Sequence, residues 1–224
     1  MKNPMHYLRA LLFPERCPFC GKLVEADEIA CKDCYKTLRL KHSPITGGAG
    51  GFRCVSSFPY GGKVRRAILR VKYHDRVQYI PQLAAILADD IKSVYGEDSF
   101  DLITAVPMHK NDIKERGYNQ SEILAKELSK LLEIPYADTI VKIKRTKKQH
   151  KLKFTERKTN LSGAFKLIDK ELVNGKRILL IDDIITSGYT LGLCGRSLAR
   201  AKPKKICCAT IATAQNKFSE ETVV

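Results

Sequence analysis

Residues 178–191, ILLIDDIITSGYTL, restrict the fold more than any other stretch of the chain. Lys176–Ile181 (KRILLI) reads as a strand buried on both faces, which in a globular chain means a sheet covered by helices on each side. The run ends in Asp182-Asp183, and a polar loop containing Thr186, Ser187, Gly188, Tyr189 and Thr190 leads into a helix expected over Tyr189–Ala201. Ligands of parallel sheets gather at the carboxyl ends of the strands. Hydroxyls and consecutive backbone N–H groups around a glycine, at a helix N-terminus, suit a phosphate dianion. Two adjacent carboxylates accept hydrogen bonds from vicinal sugar hydroxyls or hold Mg2+ through water. Together these groups describe a site for a ribose 5-phosphate moiety, against the plainer alternatives of a helix cap and a charged strand end.

The rest of the chain alternates between the two periodicities. Strands are expected at Arg53–Tyr60, Asp101–Val106, Thr139–Lys144 and Lys205–Thr213. Helices are expected at Lys63–Tyr73, with Val64, Ala67, Ile68 and Val71 on one face, and at Val77–Tyr95. A third covers Asn119–Glu133, with Ile123, Leu124, Leu128, Leu131 and Leu132 inward. Strands alternating with helices predict an α/β fold with a parallel sheet flanked by helices. Ser43–Gly51 (SPITGGAGG) has little to bury and reads as a linker. It divides a module with linker at 1–50 from a main domain at 51–224, whose last ten residues look frayed.

Four of the eight cysteines, Cys17, Cys20, Cys31 and Cys34, form two Cys-x2-Cys pairs separated by ten residues. Two tight turns, each aiming two thiolates at one point, complete the tetrahedron that zinc requires. Gly21, directly after the first pair, lets its turn close. The segment has too few apolar residues to fold unaided, so a metal staple is physically needed. Redox dithiols usually come singly at a helix start, and disulfides are rare in reducing compartments. With four protein ligands the ion has no open position and is structural. Cys207 and Cys208, adjacent in a strand, point to opposite faces and share no metal; they and Cys194 read as core.

No apolar run approaches the roughly 18–20 residues of a membrane helix, and Ala10–Phe13 before Pro14 is too short for a secretory leader. The expected location is the cytoplasm, without membrane insertion. The 40 Lys+Arg against 24 Asp+Glu, a net charge of +16, favour polyanionic partners: nucleic acid, anionic surfaces or phosphorylated small molecules.

ILLIDDIITSGYTL resembles the signature of type I phosphoribosyltransferases, which bind phosphoribosyl pyrophosphate (PRPP) with Mg2+. The resemblance implies that Asp182 and Asp183 contact the ribose hydroxyls and that Thr186, Ser187, Gly188, Tyr189 and Thr190 hold the 5-phosphate. CPFCG from Cys17, AVPMH at 105–109, KERGYNQS at 114–121, Arg157 and NLSGAF at 160–165 then follow in order. From end to end the chain resembles the ComF family of competence proteins, implicated in DNA uptake. Many relatives carry further cysteine pairs where this chain has SPIT and a lone Cys54, so one four-cysteine site is expected.

The same resemblance places the pyrophosphate at Pro107, Met108, His109 and Lys110, with Arg116 as a bidentate phosphate contact. His109 reads otherwise as a surface residue without an acid–base task, Gly117 as loosening the turn, and Asn119 as a helix cap. Lys142–Lys158 holds nine Lys or Arg in 17 residues, at the position of the mobile loop that closes over PRPP in active enzymes. Lys63–Arg76, with six, forms a second basic face. Either a phosphate clamp or a track for single-stranded DNA fits such segments, as does a solvated loop. The expected function is PRPP binding and handling of single-stranded DNA alongside other competence proteins. The alternative is an active transferase moving ribose 5-phosphate to a nitrogen acceptor.

Overall fold

A computed structural model describes residues 15–25, 28–39, 44–73, 76–96, 100–145 and 163–215. Arg157, Phe154 and most of the basic segment 142–158 lie outside them, as do residues 216–224. The elements are α1 (Lys32–Arg39), β1 (Ile45–Ala49), β2 (Phe52–Pro59), α2 (Gly62–Tyr73), a 3-10 turn (Val77–Tyr79), α3 (Ile80–Tyr95) and β3 (Leu102–Ala105). They continue as α4 (Lys110–Arg116), α5 (Gln120–Leu132), β4 (Ile140–Lys142), β5 (Phe165–Leu167), β6 (Arg177–Ile185), α6 (Tyr189–Ala199) and β7 (Lys205–Thr213).

Five strands form one sheet in the order β1-β2-β7-β6-β3, parallel throughout except for the β1–β2 pair. β6 is an inner strand, between β7 and β3, and Ile178, Leu179, Leu180 and Ile181 are fully buried because helices cover both faces. Leu179, Ile181, Cys207 and Ala209 face one core, which takes in buried side chains of α2, α3 and α5. Ile178, Leu180 and Cys208 face the other, packed by Leu191, Cys194 and Leu198 of α6. Cys207 and Cys208 thus lie on opposite faces as core residues. Among the described residues no helix is long and apolar enough to cross a membrane.

Several local expectations change. Ile45–Ala49, read as linker, is an edge strand whose two-residue turn, Gly50-Gly51, has φ of 61° and 97°. Two positive φ values are what a tight hairpin demands, and glycine adopts them without steric cost. Gly50 has a second constraint: a Cβ there would lie 2.5 Å from Gly192 Cα on α6. The glycines serve close packing between distant segments, which local composition does not reveal. β4 pairs antiparallel with β5 as a separate two-stranded ribbon rather than joining the main sheet. On α5, Leu124 and Leu128 are buried and Ile123 and Leu132 pack against the core as expected, whereas Leu131 is exposed and Gln120, Ser121 and Ala125 join the buried face.

β6 also outruns its expected end at Ile181. Asp182 stands opposite Thr210, and Ile184 and Ile185 opposite Ala212 and Thr213. The acidic pair therefore lies inside the strand, leaving only residues 186–188 as loop before α6 begins at Tyr189.

Candidate ligand cleft and metal centre

A cleft of about 570 Å3 opens where β6 meets α6. Its lining includes Asp182, Asp183 and all of Thr186, Ser187, Gly188, Tyr189 and Thr190, so the fold brings the expected ribose and phosphate groups together. Gly188 precedes α6 with φ of 70°, and a Cβ there would meet Gly50 N at 3.0 Å and Ala49 Cα at 3.1 Å. The hairpin turn thus backs the loop, and a hydrogen bond from Gly192 N to Gly188 O (2.8 Å) carries it into the helix. The loop N–H groups stand at the positive end of an 11-residue helix, where an anion is stabilised.

The sequence marked α2 as a basic face without tying it to this site. Tyr60, at the end of β2, joins Arg65, Leu69, Lys72 and Tyr73 of α2 there. The apolar face of α2 was legible from its spacing, but nothing local showed that its other residues would reach the acidic pair. Lys72 Nζ lies 2.7 Å from Asp183 Oδ2. Ser121, at the start of α5, donates its hydroxyl to Asp182 Oδ1 at 2.8 Å, and that oxygen also accepts Asp183 N–H at 2.9 Å. Burial pushes the Asp182 carboxyl up to about 7, the Asp183 charge adds to the rise, and the Ser121 hydrogen bond opposes it.

The expected pyrophosphate residues stand beside this cleft rather than in its lining. Val106 N–H bonds to Ile181 O at 2.9 Å, so the loop after β3 leaves the sheet edge next to the acidic pair. Pro107 and Met108 are half-buried and Lys110 is exposed. His109 is buried, against its reading as a surface residue, because its Nδ1 caps α4 by accepting from Asn111 N–H at 3.2 Å. Gly117 takes a left-handed conformation that ends α4, and Asn119 caps α5 by accepting from Ser121 N–H. Arg116 donates to Gln120 Oε1 at 2.7 Å and lies over the Tyr73 ring, 5.5 Å from its centroid. Of the basic segment, Arg145 pairs with Asp112 and Glu115 on α4.

The four cysteine sulfurs of the N-terminal module lie within 4.8 Å of one another. Cys17, Cys31 and Cys34 are buried, and burial pushes the Cys34 thiol up to about 12. Four sulfurs this close together are well matched to a divalent ion that takes thiolates. Cys17, Cys20, Cys31 and Cys34 therefore fit a closed zinc site. The module docks on the main domain through Phe19 and Phe58, edge to face at 6.0 Å between centroids. Arg70 donates to Pro18 O at 3.0 Å, Gln82 to Glu28 O at 2.9 Å, and Lys63 to Cys34 Sγ at 3.5 Å.

Known proteins agree with both halves. Residues 113–222 match the phosphoribosyl transferase domain family, and residues 8–45 the double zinc ribbon domain family. Competence protein F of Haemophilus influenzae is 29% identical over 87% of this chain and 95% of its own length. The DNA utilization protein YhgH of Escherichia coli is 27% identical, covering 82% of this chain and 84% of its own. Competence protein ComFC of Bacillus subtilis is 28% identical, with 81% and 70% covered. A zinc ribbon packed on a phosphoribosyltransferase-like domain, with relatives of this kind along most of its length, supports a ComF-family protein.

Proposed function

We propose that the cleft binds PRPP and that the protein acts in the cytoplasm on single-stranded DNA during DNA uptake, alongside other competence proteins. The observation that carries the ligand assignment is the meeting of the Thr186–Thr190 loop with Asp182 and Asp183 in one cleft. The loop amides and hydroxyls take the 5-phosphate, and the carboxylates take the ribose hydroxyls. Mg2+ would come with PRPP, and Lys110 and Arg116, at the two ends of α4 beside the cleft, would hold the diphosphate. The names of the relatives, competence and DNA utilization, support the DNA role, and exposed Arg65 and Arg66 on α2 extend the basic surface beside the cleft.

Calorimetric titration with Mg-PRPP, with and without single-stranded DNA, tests this reading while pyrophosphate release is followed. Tight binding without release, with PRPP and DNA affinities coupled, is the expected result. The double variant Asp182→Ala/Asp183→Ala should lose PRPP binding, and unchanged binding would remove the site assignment. A second reading, transfer of ribose 5-phosphate to a nitrogen acceptor, is favoured by Tyr60, Leu69 and Tyr73, which line the same cleft as the acidic pair. Pyrophosphate release stimulated by one nucleobase or amine would establish it.

A further inference from the structure

Asp182 and Asp183 put two carboxylates side by side in a shielded strand, and the group that answers them is Lys72. Here separate helices hold the two: Ser121 of α5 holds Asp182, and Lys72 of α2 holds Asp183. The Lys72 and Asp183 side chains are only 18% and 12% exposed, so their 2.7 Å contact is not a solvent-screened surface pair. Burial opposes the charge of Lys72, but Asp183 and then Asp182 outweigh it and keep the amine above the ordinary lysine range.

The helix that delivers this ammonium has little freedom to withdraw it. Val64, Ala67, Ile68 and Val71 bury its inner face, and the Tyr118 hydroxyl donates to Val71 O next to Lys72. Lys63 and Arg70 tie the same helix to the cysteine module. A divalent ion placed directly on the acidic pair would sit beside an ammonium already 2.7 Å from one carboxylate oxygen, a like-charge contact in a shielded site. The donor set does not suit a bare Mg2+ and does suit an ion that arrives on the phosphates of a ligand.

We propose that Lys72 is the resident cation of the acidic pair, neutralising it so that Asp182 and Asp183 accept ribose hydroxyls without a metal ion at the carboxylates. The proposal rests on the ribose-phosphate reading of the cleft and names a positioning residue for it. Ribose 5-phosphate, which has no diphosphate to carry a metal, is the discriminating probe. The wild-type protein should bind it equally in EDTA and in Mg2+. Lys72→Met, which keeps the aliphatic stem, should lose roughly tenfold or more in EDTA, as expected for removing a charged partner. Mg2+ should restore part of the loss, and Lys72→Arg should bind without metal.

Wild-type binding that requires Mg2+, or unchanged Lys72→Met binding in EDTA, would overturn the proposal while leaving the ribose-phosphate reading intact. No wild-type binding in either buffer would overturn the reading itself and the proposal with it. A ligand-free readout checks the same point. Mn2+ followed by its electron paramagnetic resonance signal should bind Lys72→Met at one site, lost again on adding Asp183→Asn. The wild type should lack that site, and finding it there would count against a resident ammonium.

Discussion

The cysteine centre and the cleft both gather groups that burial disfavours, and they do so in opposite ways. The centre takes four sulfurs from residues 17–34, a single short stretch. The cleft takes Tyr60 from the end of β2, Lys72 from α2, the acidic pair from β6 and Tyr189 from α6. Local assembly leaves a spacing pattern that a sequence displays, whereas non-local assembly shows only the part contributed by one continuous stretch. Yet the two regions are not independent, since α2 carries Lys63 and Arg70 toward the module and Lys72 toward the cleft.

The strongest test of that link is to remove the metal ligands. Cys17→Ser/Cys20→Ser should lose bound zinc and unfold the first 40 residues. Structural zinc sites contribute on the order of 10 kcal/mol of apparent binding free energy at neutral pH. Phe19, Cys17 and Cys34 share one core with Val55, Phe58 and Val64, so the midpoint of thermal unfolding should fall for the whole chain. PRPP affinity should fall as well, because α2 loses one set of its anchors. A wild-type protein purified without zinc would refute the metal assignment, and full PRPP affinity in the double variant would show the two regions to be uncoupled.

A middle-sized effect is expected at Gly50, where the edge hairpin backs the phosphate loop. Gly50→Ala places a methyl against Gly192 Cα, Gly188 O and Gly192 N, all backbone atoms, at a residue with φ of 61°. Overpacking against backbone together with the unfavourable φ should cost about 2–3 kcal/mol. Denaturant unfolding would measure it, and PRPP affinity should fall alongside because Gly188 is displaced. Gly51→Ala, where a Cβ meets nothing within 4 Å, carries only the conformational cost and is the control. Equal destabilisation by both would show that close packing is not why Gly50 is glycine.

What was legible in the sequence follows the same division. The strand-and-helix alternation, the cysteine spacing and the run from Ile178 to Leu191 are each contained in consecutive residues, and each led to the right element. Ser43–Gly51 misled because a glycine chosen for close contact with α6 looks in isolation like a glycine chosen for flexibility. Leu131 misled because α5 turns its Gln120–Ser121 end, rather than Leu131, toward the sheet edge. His109 looked like a surface residue because its capping partner appears only once α4 is formed. Lys72 was visible only as one charge among six in the basic segment Lys63–Arg76, since its meaning depends on Asp183, more than a hundred residues away.

The acidic pair itself carries an energetic cost that pH exposes. An ordinary aspartate titrates near 4 in an unfolded chain, and burial holds folded Asp182 up toward 7. Between these values the folded state binds more protons than the unfolded state, so stability falls as pH rises through the window. Below it both states are protonated and no cost exists; above it both are ionised and the full cost remains. Asp182→Asn removes that cost while its side-chain oxygen can still accept from Ser121 and from the residue 183 N–H. The variant should therefore unfold at a higher temperature than wild type at pH 8, with the difference shrinking to nothing near pH 4, while PRPP affinity drops. A constant difference across that range would mean that Asp182 is held ionised by its partners, and a lower midpoint at pH 8 would mean that its charge stabilises the fold. The Lys72–Asp183 pair remains in this variant, so either outcome isolates the second carboxylate, the one the resident ammonium does not touch directly.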